Sequence, residues 1–259
     1  MLPLASLDRD AARRVAGVFT DVDDTLTTDG ALDPDAYAAL CIAAKAGLRV
    51  VPVTGRPGGW AEVLAAMWPV DAVVAENGAL YVRRDGARVF WDDEPTRLLQ
   101  RSKLDALAAD LLATLPFARL VDDQPLRRVD VAFDVGERQK LGAREIAAIV
   151  EAIERHGARS LVSTVHAHAY YGAHDKAAML LRLARALWSE TDESATARYL
   201  YVGDSPNDQA GFARFPLSIG VANVARYADR LAPPPAYVTR ERSGRGFAEA
   251  IDYLLALRK

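Results

Sequence analysis

Acidic side chains stand directly after several short apolar runs of this chain. Six of them have this placement: Asp21, Asp23, Asp24, Glu76, Asp204 and Asp208. Short apolar runs are typical of strands buried in a parallel sheet. Ligands bind such sheets outside the carboxyl ends of the strands. We therefore expect five aspartates and one glutamate to meet at one edge of a sheet.

A cluster of this kind favours a bound cation. Two carboxylates about 4 Å apart repel each other by roughly 4 kcal/mol at an effective dielectric constant of 20. Oxygen ligands suit Mg²⁺, whereas a structural zinc site needs Cys or His at fixed spacing. The chain has a single cysteine, Cys41, which we interpret as a small core residue. The pattern therefore predicts a magnesium site.

The elements that must position these residues alternate between strand and helix. Strand-helix-strand units in residues 1–82 and 171–259 predict an α/β fold, with a doubly wound parallel sheet and helices on both faces. Residues 83–170 carry a hairpin signal followed by helix, strand, helix and strand patterns, which predict a separate α+β unit. The polar segment 188–197 is predicted to be a surface loop.

Other polar residues also follow the predicted strands. Thr54, Gly55 and Arg56 come after the second strand, and Asn77 comes after the third. Lys176 stands at the start of a predicted helix, where a solvated lysine is the ordinary interpretation. Capping or turn formation is the ordinary role of an isolated aspartate. The alignment of two acidic groups at separate strand ends favours a functional site instead.

Four segments resemble the motifs of the haloacid dehalogenase (HAD) superfamily. They are Phe19-Thr20-Asp21-Val22-Asp23-Asp24-Thr25-Leu26, Val53-Thr54-Gly55-Arg56, Lys176 within His174-Asp175-Lys176, and Gly203-Asp204-Ser205-Pro206-Asn207-Asp208. The insert, together with Glu76-Asn77-Gly78, resembles the type IIB cap subclass, which includes sugar phosphatases. The resemblance spans the whole chain and implies a Rossmann-like core with an inserted cap. One position departs from the family, which commonly has glycine where this chain has Asp24.

The resemblance also implies a role for each motif residue. Asp21 is expected to attack phosphorus and form an aspartyl-phosphate, and Asp23 is expected to act as general acid and base. Mg²⁺ is expected to bind Asp21, Asp204 and the backbone carbonyl of Asp23. Thr54 is expected to donate a hydrogen bond to a phosphoryl oxygen, and Lys176 is expected to balance the negative charge. Asn207 and Asp208 are expected to orient the waters bound to the metal. Substrate contacts are expected from Gly55, Arg56 and Asn77.

The insert is expected to select the leaving group. If the segment from His166 to Tyr170 is extended, then His166, His168 and Tyr170 lie on one face, where they could bind sugar hydroxyls. A half-buried structural strand is the alternative interpretation. Arg127, Arg128 and Asp130 on the preceding predicted strand are further candidates for polar recognition of the substrate, and the alternation of that strand predicts that Arg128 and Asp130 share a face.

Composition narrows the classes of function. A net charge of −3 does not favour nucleic acid, and no apolar stretch approaches the ~18 residues of a membrane helix. We expect a cytoplasmic Mg²⁺-dependent phosphatase that acts on a small phosphorylated molecule, most specifically a sugar phosphate. A phosphosugar mutase and a non-catalytic phosphosugar-binding protein remain alternatives. The oligomeric state is left open.

Overall fold

The computed structural model describes all 259 residues. Its strands are β1 (Leu2–Pro3), β2 (Gly17–Thr20), β3 (Thr27–Thr28), β4 (Ala31–Leu32), β5 (Arg49–Pro52), β6 (Ala72–Ala75), β7 (Leu80–Arg83), β8 (Arg88–Phe90), β9 (Val131–Asp134), β10 (Arg159–Val162), β11 (His166–Tyr170), β12 (Tyr199–Gly203), β13 (Ser218–Gly220) and β14 (Tyr237–Val238). Its α-helices are α1 (Arg9–Arg14), α2 (Pro34–Lys45), α3 (Gly58–Met67), α4 (Glu94–Thr114), α5 (Ala143–Arg155), α6 (Lys176–Trp188), α7 (Asp192–Arg198), α8 (Gln209–Arg214) and α9 (Ser243–Arg258).

Six strands form a parallel sheet in the order β1-β14-β13-β12-β2-β5. Alternate residues of each strand pack on opposite faces. Val18 of β2 contacts one core cluster with residues of α1, α2, α3 and α9, whereas Phe19 contacts a second cluster with residues of α6, α7 and α8. Helices therefore cover both faces, and the predicted doubly wound α/β fold is confirmed.

The sheet is extended beyond β5 by three further strands. A parallel bridge joins Val53, directly after β5, to Val74 of β6, and the antiparallel strands β7 and β8 follow in order. The predicted boundary at residue 83 thus falls inside the β7–β8 hairpin. Because β8 pairs with β7, we propose that the inserted unit begins nearer to residue 92.

The inserted unit contains its own three-stranded antiparallel sheet in the order β10-β11-β9. One face of this sheet packs on α4 and α5 through residues such as Phe133, Ala167 and Leu107. We call this unit the cap. His166 and His168 alternate with the alanines of that buried face, so they lie on the opposite face of the strand, as the two-residue period predicts.

One predicted loop is in fact a helix. Helix α7, residues 192–198, occupies the second half of the polar segment 188–197 that we expected to be a surface loop. The Thr191 hydroxyl accepts a hydrogen bond from the backbone N–H of Ser194 and caps this helix. Ala195 is its only buried residue, so the segment carries no apolar periodicity that would have revealed a helix. No helix of the chain has the length and apolarity needed to cross a membrane.

Candidate active site

Three carboxylates meet where β2 and β12 end side by side in the sheet. Asp21 follows β2, Asp204 follows β12, and Asp208 lies one turn further on. One oxygen from each lies within 4.8 Å of the others, and all three side chains are buried. Burial raises the pKa of Asp21 and of Asp204 well above the ordinary value, and repulsion from Asp208 raises both further. The ionised forms of these carboxylates therefore need a positive charge beside them.

Lys176 supplies one positive charge to this cluster. It is the first residue of α6, and its Nζ donates to Asp21 Oδ1 at 2.6 Å and to Asp208 Oδ1 at 2.8 Å. Burial alone lowers the pKa of Lys176, but Asp208 and Asp21 overcome that effect and raise it above the ordinary value. The lysine is 1% exposed, so the sequence-based alternative of a solvated lysine is wrong.

Asp208 accepts hydrogen bonds on both carboxylate oxygens. Tyr201 Oη donates to Oδ1 at 2.7 Å, in addition to Lys176. The backbone N–H groups of Asp204 and Ser205 donate to Oδ2 at 2.9 and 3.2 Å. Four donors thus occupy this carboxylate, which suits an anchor for Lys176 better than a direct metal ligand. Gly203 makes the approach possible, since a Cβ there would lie 2.5 Å from the Asp208 Cγ.

Asn207 and Asn223 have different positions relative to the cluster. Asn207, a predicted metal-site residue, is partly buried and accepts a hydrogen bond on Oδ1 from Ser205 Oγ at 2.8 Å. Asn223, which the sequence analysis missed, donates from Nδ2 to Asp204 Oδ2 at 2.9 Å and to the Asp24 carbonyl at 3.0 Å. It follows β13 by three residues, so the same strand-end rule could have found it. Asn223 therefore orients Asp204, one of the buried acidic groups of the cluster.

The backbone explains why position 24 favours glycine. Asp24 has φ of 58°, in the left-handed region that few side chains adopt readily. Aspartate tolerates this region better than most residues, and the Asp24 N–H donates to Thr27 Oγ1 at 2.9 Å. The departure from the family pattern therefore keeps the turn that holds Asp21 and Asp23.

Asp23 is held from the second motif. Arg56 donates to it from Nη2 at 2.8 Å and from Nε at 3.0 Å, and Thr54 Oγ1 lies 3.5 Å from its Oδ2. The Arg56 backbone N–H donates to Thr54 Oγ1 at 2.9 Å. Arg56 also donates to Glu137 of the cap at 2.9 Å. Arg56 therefore connects Asp23 of the core to Glu137 of the cap.

Glu76 connects the core to the cap through backbone groups. Its carboxylate accepts hydrogen bonds of 2.6 to 3.0 Å from the N–H groups of Gly58, Arg128, Val129 and Asp130. Burial, followed by repulsion from Asp130, raises the pKa of Glu76 to about 7. Arg128 contributes to this junction with its backbone, while its side chain lies 3.5 Å from Glu62 and is 41% exposed. The structure thus places the Arg128 guanidinium on α3 and not with the acidic cluster.

The two cap histidines are buried against carboxylates. His166 Nε2 lies 2.9 Å from Glu137 Oε2, and His168 Nδ1 lies 2.8 Å from Asp130 Oδ2. Arg127 donates to both oxygens of Asp130 and to the Gly55 carbonyl at 3.0 Å, so of the two candidate arginines it is Arg127 that touches the second motif. The cap therefore brings His168 to the core edge.

Core and cap enclose a cavity of about 320 Å³. Asn77, Lys176 and Asn207 line it from the core, and Arg159, Leu161 and Tyr170 line it from the cap. Predicted site residues from three separate segments of the chain thus share this cavity. Lys176, which donates to Asp21 and Asp208, joins this cavity to the acidic cluster.

Known proteins are similar to this chain over most of its length. The chain is 30% identical over 243 residues to a phosphoglycolate phosphatase of Pyrobaculum neutrophilum, covering 92% of this chain and 95% of that protein. Protein 0175 of Thermoplasma acidophilum has the same fold, with a TM-score of 0.74, 19% identity and coverage of 93% and 98% of the two chains. The sucrose-phosphatase of Synechocystis sp. PCC6803, solved with sucrose and phosphate, gives a TM-score of 0.67, 15% identity and coverage of 93% and 98%. No protein-family model matches the chain.

The chain belongs to the HAD superfamily. Within that superfamily it is a phosphatase, a hydrolase of phosphoric monoesters.

Proposed function

We propose that the protein hydrolyses a phosphate monoester through an aspartyl-phosphate on Asp21, with Mg²⁺ as cofactor. The observation that carries this proposal is the buried Asp21, held by Lys176 at 2.6 Å beside Asp204 and Asp208. A carboxylate in this setting has its charge balanced and its orientation fixed before substrate arrives. Asp23 stands two residues away, which supports a separate role in proton transfer.

The acidic cluster fits a hard divalent cation. Its donors are all oxygens, and burial with mutual repulsion raises the pKa values of Asp21 and Asp204, so a cation would stabilise their ionised forms. Asp21, Asp204 and the carbonyl of Asp23 would hold Mg²⁺, with Asn207 and Asp208 supporting its surroundings. When bound, the metal neutralises charge on the phosphoryl group and the attacking carboxylate.

The residues divide the reaction into two displacements. An Asp21 oxygen attacks phosphorus, the bond to the leaving oxygen breaks, and Asp23 gives that oxygen a proton. A water then attacks the phosphorus of the aspartyl-phosphate and gives a proton to Asp23. The bond between phosphorus and the Asp21 oxygen breaks, so that phosphate is released and the Asp21 carboxylate is restored. Lys176 and the Thr54 hydroxyl stabilise the phosphoryl oxygens. Arg56 and Thr54 hold Asp23 near the site in the meantime.

We propose a sugar phosphate or similar polyol phosphate as substrate. His166, His168 and Tyr170 give one cap face polar groups suited to hydroxyls. A second candidate is phosphoglycolate, because the relative that is 30% identical carries that name. The alternative of a phosphosugar mutase predicts isomerised sugar phosphate instead of free phosphate. A cytoplasmic location remains a prediction.

Phosphate release from a panel of sugar phosphates and phosphoglycolate tests the proposal. We expect release that requires added Mg²⁺ and that Asp21→Asn abolishes. Tight binding of a panel member by the wild-type protein without release would favour the non-catalytic alternative. No release from any substrate would contradict the proposed function.

A further inference from the structure

Three polar atoms converge beside Gly55, in the loop that also carries Thr54. A Cβ at Gly55 would lie 3.1 Å from Asn77 Oδ1, 3.2 Å from Asn77 Nδ2 and 3.2 Å from His168 Nε2. Asn77 comes from the core and His168 from the cap strand β11. The absence of a side chain at position 55 therefore lets both groups reach the second motif, next to the proposed phosphate site.

The side-chain amide of Asn77 is buried and unpaired. It is 3% exposed, and neither Oδ1 nor Nδ2 of its amide has a hydrogen-bond partner within the protein. Buried amides are nearly always hydrogen-bonded, so both atoms call for an external partner. A backbone φ of 54° fixes the residue in a conformation that asparagine tolerates well. Asn77 also lines the cavity between core and cap.

The contacts of His168 determine which of its two ring nitrogens carries the hydrogen. The Arg127 guanidinium donates to both oxygens of Asp130. Its positive charge, together with the hydrogen bond from His168, holds the pKa of Asp130 well below its usual range despite burial. An ionised carboxylate only accepts, so the His168 Nδ1 at 2.8 Å must carry the hydrogen. Burial lowers the pKa of His168 to about 4, so the ring is neutral near pH 7. Nε2 then presents a lone pair and accepts a hydrogen bond.

We propose that His168 Nε2 and the Asn77 amide form a subsite that binds a hydroxyl of the leaving group, so that the enzyme prefers phosphate esters of diols and polyols to esters that carry a carboxylate there. The inference rests on the proposed phosphatase function and names its substrate class. A hydroxyl donates to Nε2 and accepts from the Asn77 amide, which uses both of its capacities. A carboxylate has no proton to donate and meets the Nε2 lone pair. Arg127 and Asp130 act as positioning residues, since they set the tautomer of His168.

Three small esters test the preference in the wild-type protein. 2-Hydroxyethyl phosphate, ethyl phosphate and 2-phosphoglycolate differ only in the group attached to the carbon that bears the phosphate: hydroxymethyl, methyl or carboxylate. We expect kcat/KM for 2-hydroxyethyl phosphate to exceed that of each other ester by about 10-fold, the value of one net hydrogen bond. Equal values for the first two esters, or a preference for 2-phosphoglycolate, would overturn the subsite. Absence of release from all three and from the sugar phosphates would contradict the phosphatase function itself.

A substitution then assigns the preference to His168. His168→Asn keeps an amide donor near the position of Nδ1 for Asp130 and removes the Nε2 acceptor. The ratio of kcat/KM between 2-hydroxyethyl and ethyl phosphate should fall from about 10 to about 1. His156→Asn is the matched control, because His156 pairs with Asp110 at 2.9 Å on the cap surface, and its ratio should stay at the wild-type value. An unchanged ratio in His168→Asn would refute the assignment.

Discussion

Replacing Asn223 by alanine should weaken magnesium binding, although Asn223 is not itself a proposed metal ligand. Asn223 is 5% exposed and donates to Asp204 Oδ2 at 2.9 Å, while its Oδ1 accepts from the Ser243 N–H at 2.9 Å. Without the amide, the Asp204 carboxylate loses the donor that fixes its rotation. A hydrogen bond to a charged group contributes about 1.5–3 kcal/mol. That range corresponds to a loss of metal affinity of about 10- to 100-fold.

Titration of phosphate release with Mg²⁺ measures this effect as a rise in the half-maximal concentration. Calorimetric binding of Mn²⁺ to the protein without substrate gives a second readout. Gln139→Ala is a matched control, because its amide also joins backbone groups, at 3.2 Å to Phe117 and 2.8 Å to Asp134, but lies in the cap. An unchanged magnesium dependence in Asn223→Ala, together with a lower free energy of unfolding, would show that Asn223 only stabilises the loop and would refute the reasoning.

Three further substitutions test separate parts of the structure. Lys176→Met should lower kcat by about 100-fold or more, because it removes the cation that balances Asp21. Single-turnover phosphate release would measure this loss, and near-normal turnover would contradict the role of Lys176. Leu107→Ala should lower the free energy of unfolding, measured by urea denaturation, by about 2–5 kcal/mol, because Leu107 is fully buried in the cap core. A loss below ~1 kcal/mol would contradict that packing. The hydrogen bond with His166 and the charge of Arg56 lower the pKa of Glu137 to about 2, so its stabilising effect is complete above about pH 4.5 and is lost as the pH falls towards 2. Glu137→Gln should therefore flatten the stability profile over that interval, and an unchanged acid profile would show that the ion pair does not hold the cap.

The core site follows from the sequence because parallel strands impose it. Asp21 and Asp204 are far apart in the chain, yet each follows a strand, and β2 and β12 pair side by side. Any side chain just beyond such strand ends is brought to one edge. Lys176 needed the family resemblance as well, because nothing in its local sequence distinguishes it from a solvated lysine.

The cap contacts could not be derived in the same way. The alternation from 129 to 135 predicted that Arg128 belongs to a strand, but β9 begins only at Val131. The preceding residues instead form a turn in which Arg127 points to the Gly55 carbonyl and Arg128 contributes its N–H to Glu76. Which of two adjacent arginines reaches the core depends on that turn, and the sequence pattern does not encode its geometry.

The junction between core and cap gives the selectivity proposal its physical basis. Glu76 fixes three consecutive N–H groups of the cap, and it directly precedes Asn77 in the chain. The same cap segment carries Asp130, which sets the tautomer of His168. The loop proposed to bind the phosphoryl group and the strand proposed to contact the leaving group are therefore joined by short, buried hydrogen bonds. A substitution at Glu76 should consequently change substrate preference as well as stability, even though its carboxylate faces only backbone groups.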